Sequence, residues 1–475
     1  MINDSGNVEV MDQTGGGIVK VTKDASPAGS ARGKLSTEYQ LPIWSPDGQS
    51  LAFVETVLQK PVASTIVEIQ PDSVTIERGE QSKSFEVGGG GSASARTTQG
   101  GQPSASRGLR ENRAPDKTTV EKQPDRVVIE RGLGKGDLQS SALYVAKLDG
   151  KAPLLEVFQS KKDSVSYMDW SPDGTQLAFL QDNDSTGTKL NIVGSEGGSP
   201  REIASGAGAA WNWNPDGRTL MTRVDTGSAR GFSSLSIVDA DTARSVPIAQ
   251  RVAVPFGAPN FSPDGGYMVT AQANQDGPSD LLLADRDGRV VRKLAAFTGR
   301  IAFAWSPTGA KVAYVVRENP TQRGGALKIL DVNTGVEKVI SQFPVSAFFW
   351  APDGTRLATF SAMRPADVSP DFPGMVLLSQ RATNFVQLAT VDIATGAARK
   401  LFVFEPTAAL GTVLNEFDRY SRGMNIWSPD GKRLVFSLAW DGGSGVEEYV
   451  IETEATGSIY PRILTMGSIA VWSPK

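Results

Sequence analysis

Hydrophobic and polar positions along this chain alternate in bursts of four or five residues rather than with a helical period. Stretches such as Leu51-Ala-Phe-Val54, Leu177-Ala-Phe-Leu180, Val312-Ala-Tyr-Val315, Leu357-Ala-Thr-Phe360 and Leu434-Val-Phe436 are short and apolar, the signature of buried strands. They are called strand a here. A second set includes Val8-Glu-Val-Met-Asp12, Leu190-Asn-Ile-Val193, Leu281-Leu-Leu-Ala-Asp285, Leu327-Lys-Ile-Leu-Asp331 and Tyr449-Val-Ile-Glu452, with further copies at 143–149, 235–239 and 388–392. Each runs into an acidic or small-residue turn and is strand b. Strand c follows that turn, and strand d leads into an aromatic residue.

One phrase punctuates these strands. It reads Trp44-Ser-Pro-Asp-Gly48, then recurs from Trp170, Trp213, Phe261, Trp305, Trp350 and Trp427, with a last copy in Trp472-Ser-Pro-Lys475. Ser or Asn, then Pro with its preset φ, then Asp and Gly describe a type I turn, so the phrase is a hairpin corner. Successive aromatics lie 126, 43, 48, 44, 45, 77 and 45 residues apart, and a spacing near 45 is that of a four-stranded propeller blade. Both signals occur eight times. They predict an all-β chain, a single β-propeller of four-stranded antiparallel blades over residues 1–475, with eight blades and seven as the alternative. Blade boundaries are placed at the corners, and strand a is expected to line the channel. The segment Met1-Ile-Asn-Asp-Ser-Gly-Asn7 aligns with the end of strand a and the following turn at Phe179 to Gly187. The first blade is therefore expected to lack most of its first strand, either because a longer precursor was cut or because Met1 is an internal start.

The two long intervals predict insertions. Residues 55–140 fall in the a–b loop of blade 2 and contain a duplication, Gln70-Pro-Asp-Ser-Val-Thr-Ile-Glu-Arg-Gly79 and Gln123-Pro-Asp-Arg-Val-Val-Ile-Glu-Arg-Gly132. The two copies are expected to pair as an antiparallel ribbon. Between them, residues 88–107 are rich in Gly and Ser and poor in apolar side chains, which predicts a flexible tip. Arg96, Arg107, Arg110 and Arg113 could make it an arm for an acidic surface, or they could simply be solvated. Blade 7 holds insertions at 361–384 and 405–423. The second carries Asn415, Glu416, Phe417, Asp418, Arg419, Tyr420 and Arg422, a mixture of aromatic and charged side chains that suits a partner-binding surface. The competing expectation is that Phe417 and Tyr420 fold inward as local packing. In antiparallel blades the a–b and c–d loops leave on one face, so all long segments are expected on the same face.

Composition narrows the chemistry. Lys+Arg 48 against Asp+Glu 52 leaves a net charge of −4, without the basic field that nucleic-acid binding needs. The chain has no Cys and no His. Disulfides, thiol nucleophiles and His-based triads are therefore excluded. Gly 50 and Pro 28 suit a turn-rich β protein. Length alone would imply two or three domains, a limit that a repeat fold escapes. No apolar run approaches the roughly 18 residues of a membrane span, and residues 1–6 do not read as an export signal. The corner Asp residues and the acidic turns at 182–187 and 285–288 read as turn formers rather than catalytic or metal sites. No cofactor or metal is expected. Trp44, Trp170, Trp213, Phe261, Trp305, Trp350, Trp427 and Trp472 are expected to pack between neighbouring blades.

On these corners the chain resembles the bacterial TolB-like, WD-repeat-like propellers, in which the Trp-Ser-Pro-Asp-Gly phrase joins the last strand of one blade to the first of the next. The resemblance implies a non-catalytic scaffold that binds protein partners in the periplasm, cell envelope or extracellular space; with Met1 as the true start, the compartment would be the cytoplasm. Similar propellers cap the catalytic domains of prolyl oligopeptidases. Here no Gly-x-Ser-x-Gly elbow is present, so a peptidase of that kind is not expected. The reading kept open beside the scaffold is a channel-site enzyme of lyase or glycosidase type that uses neither Cys nor His.

Overall fold

The computed structural model describes the chain except residues 27–34, 60–64, 71–72, 79–80, 87–117, 124–125, 132–136, 150–151, 184–186, 226–232, 253–258, 275–276, 320, 342, 369–370, 378–383, 442–444 and 459–460. It divides into two compact units. One comprises residues 1–25, 38–56 and 140–475, the other 26–37 and 57–139.

The larger unit repeats one four-stranded antiparallel sheet, seen clearly around Trp170. Its strands Ser164–Trp170, Gln176–Asn183, Gly187–Gly194 and Arg201–Gly206 pair in chain order. The aromatic strand is thus the first of its sheet, paired with the strand after the corner through Trp170↔Leu177 and Met168↔Phe179. The sheets that begin with Trp44, Trp213, Phe261, Trp305 and Trp350 have the same order. This corrects the expected blade boundaries. The corner is a hairpin inside a sheet, and successive sheets are joined by the turn from strand c to strand d, as at 206–208. Fixed Pro φ and the Ser–Asp contact make the corner tight, so two strands must pair directly across it.

The corners are built alike. In the first, Ser45 Oγ donates to Asp47 Oδ1 at 2.5 Å, and Asp47 Oδ1 also accepts from Gln49 N at 3.0 Å. Gly48 N closes the turn on Ser45 O at 2.8 Å. The hydrogen bond from Ser45 and that from the Gln49 amide hold the Asp47 carboxyl below its ordinary value. Asp264 and Asp430 repeat the arrangement with Ser262 and Ser428. The corner carboxylates are therefore turn acceptors. Glycine is needed at the end of the phrase because φ is positive there, +69° at Gly265, and because a Cβ would stand 2.4 Å from Asn214 Oδ1 of the preceding corner.

Neighbouring sheets are latched by indoles. Trp170 Nε1 donates to Ile43 O at 3.3 Å, Trp305 to Asn260 O at 3.2 Å, Trp350 to Ala304 O at 3.2 Å and Trp427 to Phe349 O at 3.0 Å. In each case the acceptor is the residue just before the preceding corner aromatic. Trp170, Trp305 and Trp427 bury the ring and satisfy its N–H in one placement, and Trp350 does so half-buried. The second strands are the core: Leu51, Ala52, Phe53, Val54, Leu177, Phe179, Leu357 and Phe360 are all fully buried. The last strand of the Trp305 sheet faces solvent, all three residues of Glu337–Val339 being exposed, whereas Leu401 to Phe404 in the last strand of the Trp350 sheet are buried.

The two ends of the chain meet in one further set of strands. Ile2 pairs with Ile469 and Asn3 with Gly467, Val8 bridges Ile2, and Glu9–Val10 pairs with Val19–Lys20.

In the smaller unit five strands form one sheet in the order Gln81–Glu86, Ser73–Arg78, Thr65–Gln70, Arg126–Arg131, Thr118–Gln123. The expected pairing of the two duplicated segments with each other is corrected: Thr65–Gln70 lies between them and pairs with both. Its hydrogen-bonding edges serve both copies, which a two-stranded ribbon would leave half unpaired. The 88–107 tip lies outside the described residues.

Candidate functional site

The segment that links the Trp350 sheet to Trp427 folds into the space faced by the first strands. Thr407 caps helix α1 (Ala408–Asn415): its Oγ1 accepts from Leu410 N at 3.2 Å and donates to Ser468 O at 2.6 Å. Leu410, Val413 and Leu414 are buried. Helix α2 (Phe417–Tyr420) follows directly. The Phe417 ring lies 4.7 Å from that of Phe348, and the Tyr420 ring stands edge-on to Tyr167 at 5.1 Å. Tyr167 Oη donates to Arg419 O at 2.7 Å, Arg419 Nη2 to Ala209 O at 3.4 Å and Arg422 Nη2 to Trp211 O at 3.2 Å. A Cβ at Gly423 would lie 3.3 Å from Ile43 and 3.7 Å from Asp169. One short segment thus touches the Trp44, Trp170, Trp213 and Trp350 sheets, and it lines a cleft with Arg300 to Ala302 of the Trp305 sheet. It is an internal plug.

This placement corrects the expected partner surface. Phe417, Asp418 and Tyr420 are at most 5% exposed, and aromatic rings packed on apolar strands are more stable there than in water. The inward-packing alternative holds for Phe417 and Tyr420. Arg419 is spread over Tyr167, its guanidinium 5.6 Å from the ring centre, and is paired with Glu416 at 3.0 Å. Asn415 remains exposed. Arg96, Arg107, Arg110 and Arg113 lie outside the described residues. Of the corner aromatics, Trp170, Trp305, Trp350 and Trp427 reach the neighbouring sheet through the indole N–H.

Around the plug sits a charged cluster absent from the sequence-based expectations. Arg223 is 7% exposed and pairs with Asp225 at 3.2 Å. Burial lowers its guanidinium; Asp225 and Asp418 act against that, while Arg419 and Arg300 add to it. Arg317 donates to Ser346 O at 3.0 Å and is lowered likewise, first by burial and then by Arg300, with Asp418 opposing. The remaining space beside Arg300, Arg317, Asn415 and Asp418 is about 10 Å³, room for one water. Asp169 faces the plug, and loss of hydration pushes its carboxyl up to about 6, against the pull of Arg422 and the Trp170 amide. Among the described residues no group of three or more carboxylates is placed to hold a metal ion, and no helix is long and apolar enough to cross a membrane.

Sequence reasoning missed Tyr167, Asp169, Arg223 and Arg317. The first two lie on the aromatic strand, whereas the sequence points to strand a as the channel-lining one. The available signal was a charge inside an apolar stretch, as in Met221-Thr-Arg-Val224.

Asp169 carries a pH prediction. Its folded carboxyl binds a proton more tightly than the unfolded one, near 3.8, so its contribution makes folding less favourable as pH rises from about 4 to about 6. At about 1.4 kcal/mol per pH unit, Asp169→Asn is expected to gain 2–3 kcal/mol, to order of magnitude, at pH 7.5 and nothing below pH 4. Denaturant unfolding across that range checks it; parallel stability curves for the two proteins would contradict it.

No family model matches the chain. It is similar to an uncharacterised peptidase, YuxL, of Bacillus subtilis, 25% identical over 162 residues that make up 27% of this chain and 24% of that protein. It is also 29% identical over 110 residues to the uncharacterised protein YidR of Escherichia coli, 22% of this chain and 25% of that one. The match spans about a quarter of each relative's length. Among solved structures, an oligogalacturonate lyase from Vibrio parahaemolyticus aligns with a TM-score of 0.43 at 13% identity, covering 63% of this chain and 77% of that one. TolB from Acinetobacter baumannii aligns at 0.36 and 13%, over 73% of this chain and 78% of that one. These likenesses are too distant to assign an activity or a partner, and what stands from the strands themselves is an all-β chain of antiparallel four-stranded sheets.

Proposed function

We propose that the chain is a closed eight-bladed propeller that serves as a non-catalytic scaffold for protein partners, in the periplasm, the cell envelope or outside the cell. Three features support eight blades: seven sheets with a corner aromatic, an eighth set of strands in which Ile2 pairs with Ile469, and a contact between corners across the chain ends. There, a Cβ at Gly48 would stand 2.9 Å from Ser473 Oγ. The observation that carries the scaffold reading is the plug. Where a propeller enzyme would hold its substrate among the first strands, Phe417 and Tyr420 are seated on Phe348 and Tyr167, and Arg223, Arg317, Arg419 and Arg422 each bond a carbonyl or a carboxylate.

Partner binding then falls to the unrepeated segments, above all residues 57–139 with Arg96, Arg107, Arg110 and Arg113. Charge reversal of these four arginines is expected to lower crosslinked capture of the native partner by more than tenfold while leaving the unfolding midpoint unchanged. Equal capture by the reversed protein would remove this arm from the proposal.

A second reading, a channel-site lyase or glycosidase, is favoured by one observation: the raised carboxyl of Asp169 beside Tyr167 and Arg422, a pattern common at catalytic sites. Glycan turnover that Asp169→Asn abolishes would decide for it.

A further inference from the structure

The Trp305 sheet departs from the repeat at the end of its first hairpin that lies away from the corner, beside the plug. In the Trp170 and Trp213 sheets the corresponding cross-strand pairs are Ser164↔Asp182 and Gly208↔Asp225. In the Trp305 sheet the pair is Arg300↔Arg317. Like charges set directly opposite each other on an antiparallel pair repel, so a fold that keeps them must offset that cost elsewhere. No ion pair does so among the described residues. Arg317 is half-buried and donates to a carbonyl, Ser346 O, at 3.0 Å, while Arg300 is exposed.

The surrounding charges do not balance either. Arg223 pairs with Asp225 and Arg419 with Glu416. The remaining carboxylate is Asp418, buried in the plug and acting on both Arg223 and Arg317. Among the described residues these four guanidiniums thus face three carboxylates, and the surplus positive charge lies with Arg300 and Arg317. The space beside that pair, about 10 Å³, is lined also by Ala302, Phe417 and Asn415. Asn415 is exposed like Arg300, so the space is open to solvent at that border, and it admits one atom of the size of a water oxygen.

We propose that the Arg300–Arg317 pair binds a small oxyanion, a phosphate or carboxylate group, with one oxygen seated in that space and the rest of the group outside it. Guanidinium N–H groups hold such oxygens through short, charge-assisted hydrogen bonds. The bound negative charge cancels the surplus that the fold leaves, which relieves the repulsion between the two arginines. The volume sets the class of ligand: no ring enters, so a larger molecule is held by its charged end alone. The site is made by one sheet and the plug. It uses neither the arginine arm nor Asp169, and it holds or fails independently of the scaffold reading.

The test is urea unfolding of the whole chain at pH 7.5, with inorganic phosphate or acetate added and the ionic strength held constant with sodium chloride. The native midpoint is expected to rise with the logarithm of oxyanion concentration above about 1–10 mM, as for a ligand that binds only the folded chain. In Arg300→Gln and in Arg317→Gln the rise should begin only at roughly tenfold higher concentration. Arg286→Gln, which removes an exposed arginine outside the pair, should respond as the native protein does. Without oxyanion, Arg300→Gln is expected to unfold at the native urea concentration or above it, because a repulsion has been removed; this separates a lost site from a lost fold. A rise with phosphate, with acetate or with both says which oxyanions the site takes. Equal rises in the native and Arg300→Gln proteins would overturn the proposal, as would a native midpoint that neither oxyanion moves. Capture of the native partner through the arginine arm is measured independently and bears on the scaffold reading alone.

Discussion

Replacing Phe417 with alanine is expected to lower the unfolding free energy by about 3–5 kcal/mol, the cost of emptying a well-packed aromatic site. The side chain is 2% exposed and sits against Phe348 and Phe349, with ring centres at 4.7 and 6.4 Å. Because two helical turns of plug depend on that seat, the cavity cannot be filled by a local shift of one strand. Phe417→Leu keeps most of the volume and is expected to cost less than about 1.5 kcal/mol. Chemical denaturation monitored by tryptophan fluorescence measures both. A loss under 1 kcal/mol for the alanine variant would mean that the plug is not seated as described, and it would reopen the partner-surface expectation for Phe417 and Tyr420.

The second large effect concerns the latch between sheets. Trp427 is fully buried, donates Nε1 to Phe349 O at 3.0 Å and lies under the Arg356 guanidinium at 5.5 Å. Trp427→Ala removes the ring and the bond together and is expected to cost about 3–5 kcal/mol. Trp427→Phe keeps most of the ring but strands the Phe349 carbonyl, at about 1–3 kcal/mol. The chain already contains this second case, since Phe261 occupies a corner without an indole donor. Stability close to wild type in the phenylalanine variant would show that the ring, and not its N–H, holds neighbouring sheets in place.

The repeated parts of this fold were legible because they are local. Ser-Pro-Asp-Gly sets its own turn, and the corner Asp accepts from residues within two or three positions, so spacing alone located the corners and the buried strands after them. The position of a strand within its sheet was not legible. Strand d and strand a pair across a tight corner, and nothing in the phrase Trp-Ser-Pro-Asp-Gly distinguishes a hairpin within a sheet from a link between sheets. Tyr167 and Asp169 lie on strand d, so an expectation that places strand a innermost does not point to them. The plug was illegible for a different reason. Phe417-Asp-Arg-Tyr420 reads equally well as a surface cluster or as a buried turn, and what decides is the shape of the space that distant strands leave. The duplicated segments at 70–79 and 123–132 pair with a common neighbour, Thr65–Gln70, whose sequence carries no trace of the duplication.

The plug also orders events in time. Its hydrogen bonds span great lengths of chain: Arg419 to Ala209 crosses 210 residues, Arg422 to Trp211 crosses 211, Tyr167 to Arg419 crosses 252 and Tyr420 to Ser166 crosses 254. Contacts this distant in sequence carry a high loop-closure entropy and form late. Residues 408–423 therefore act as a keystone, set only once the Trp44, Trp170, Trp213 and Trp350 sheets stand around it. Until then the apolar rims of those sheets, Trp211 and Phe348 among them, face an unfilled centre.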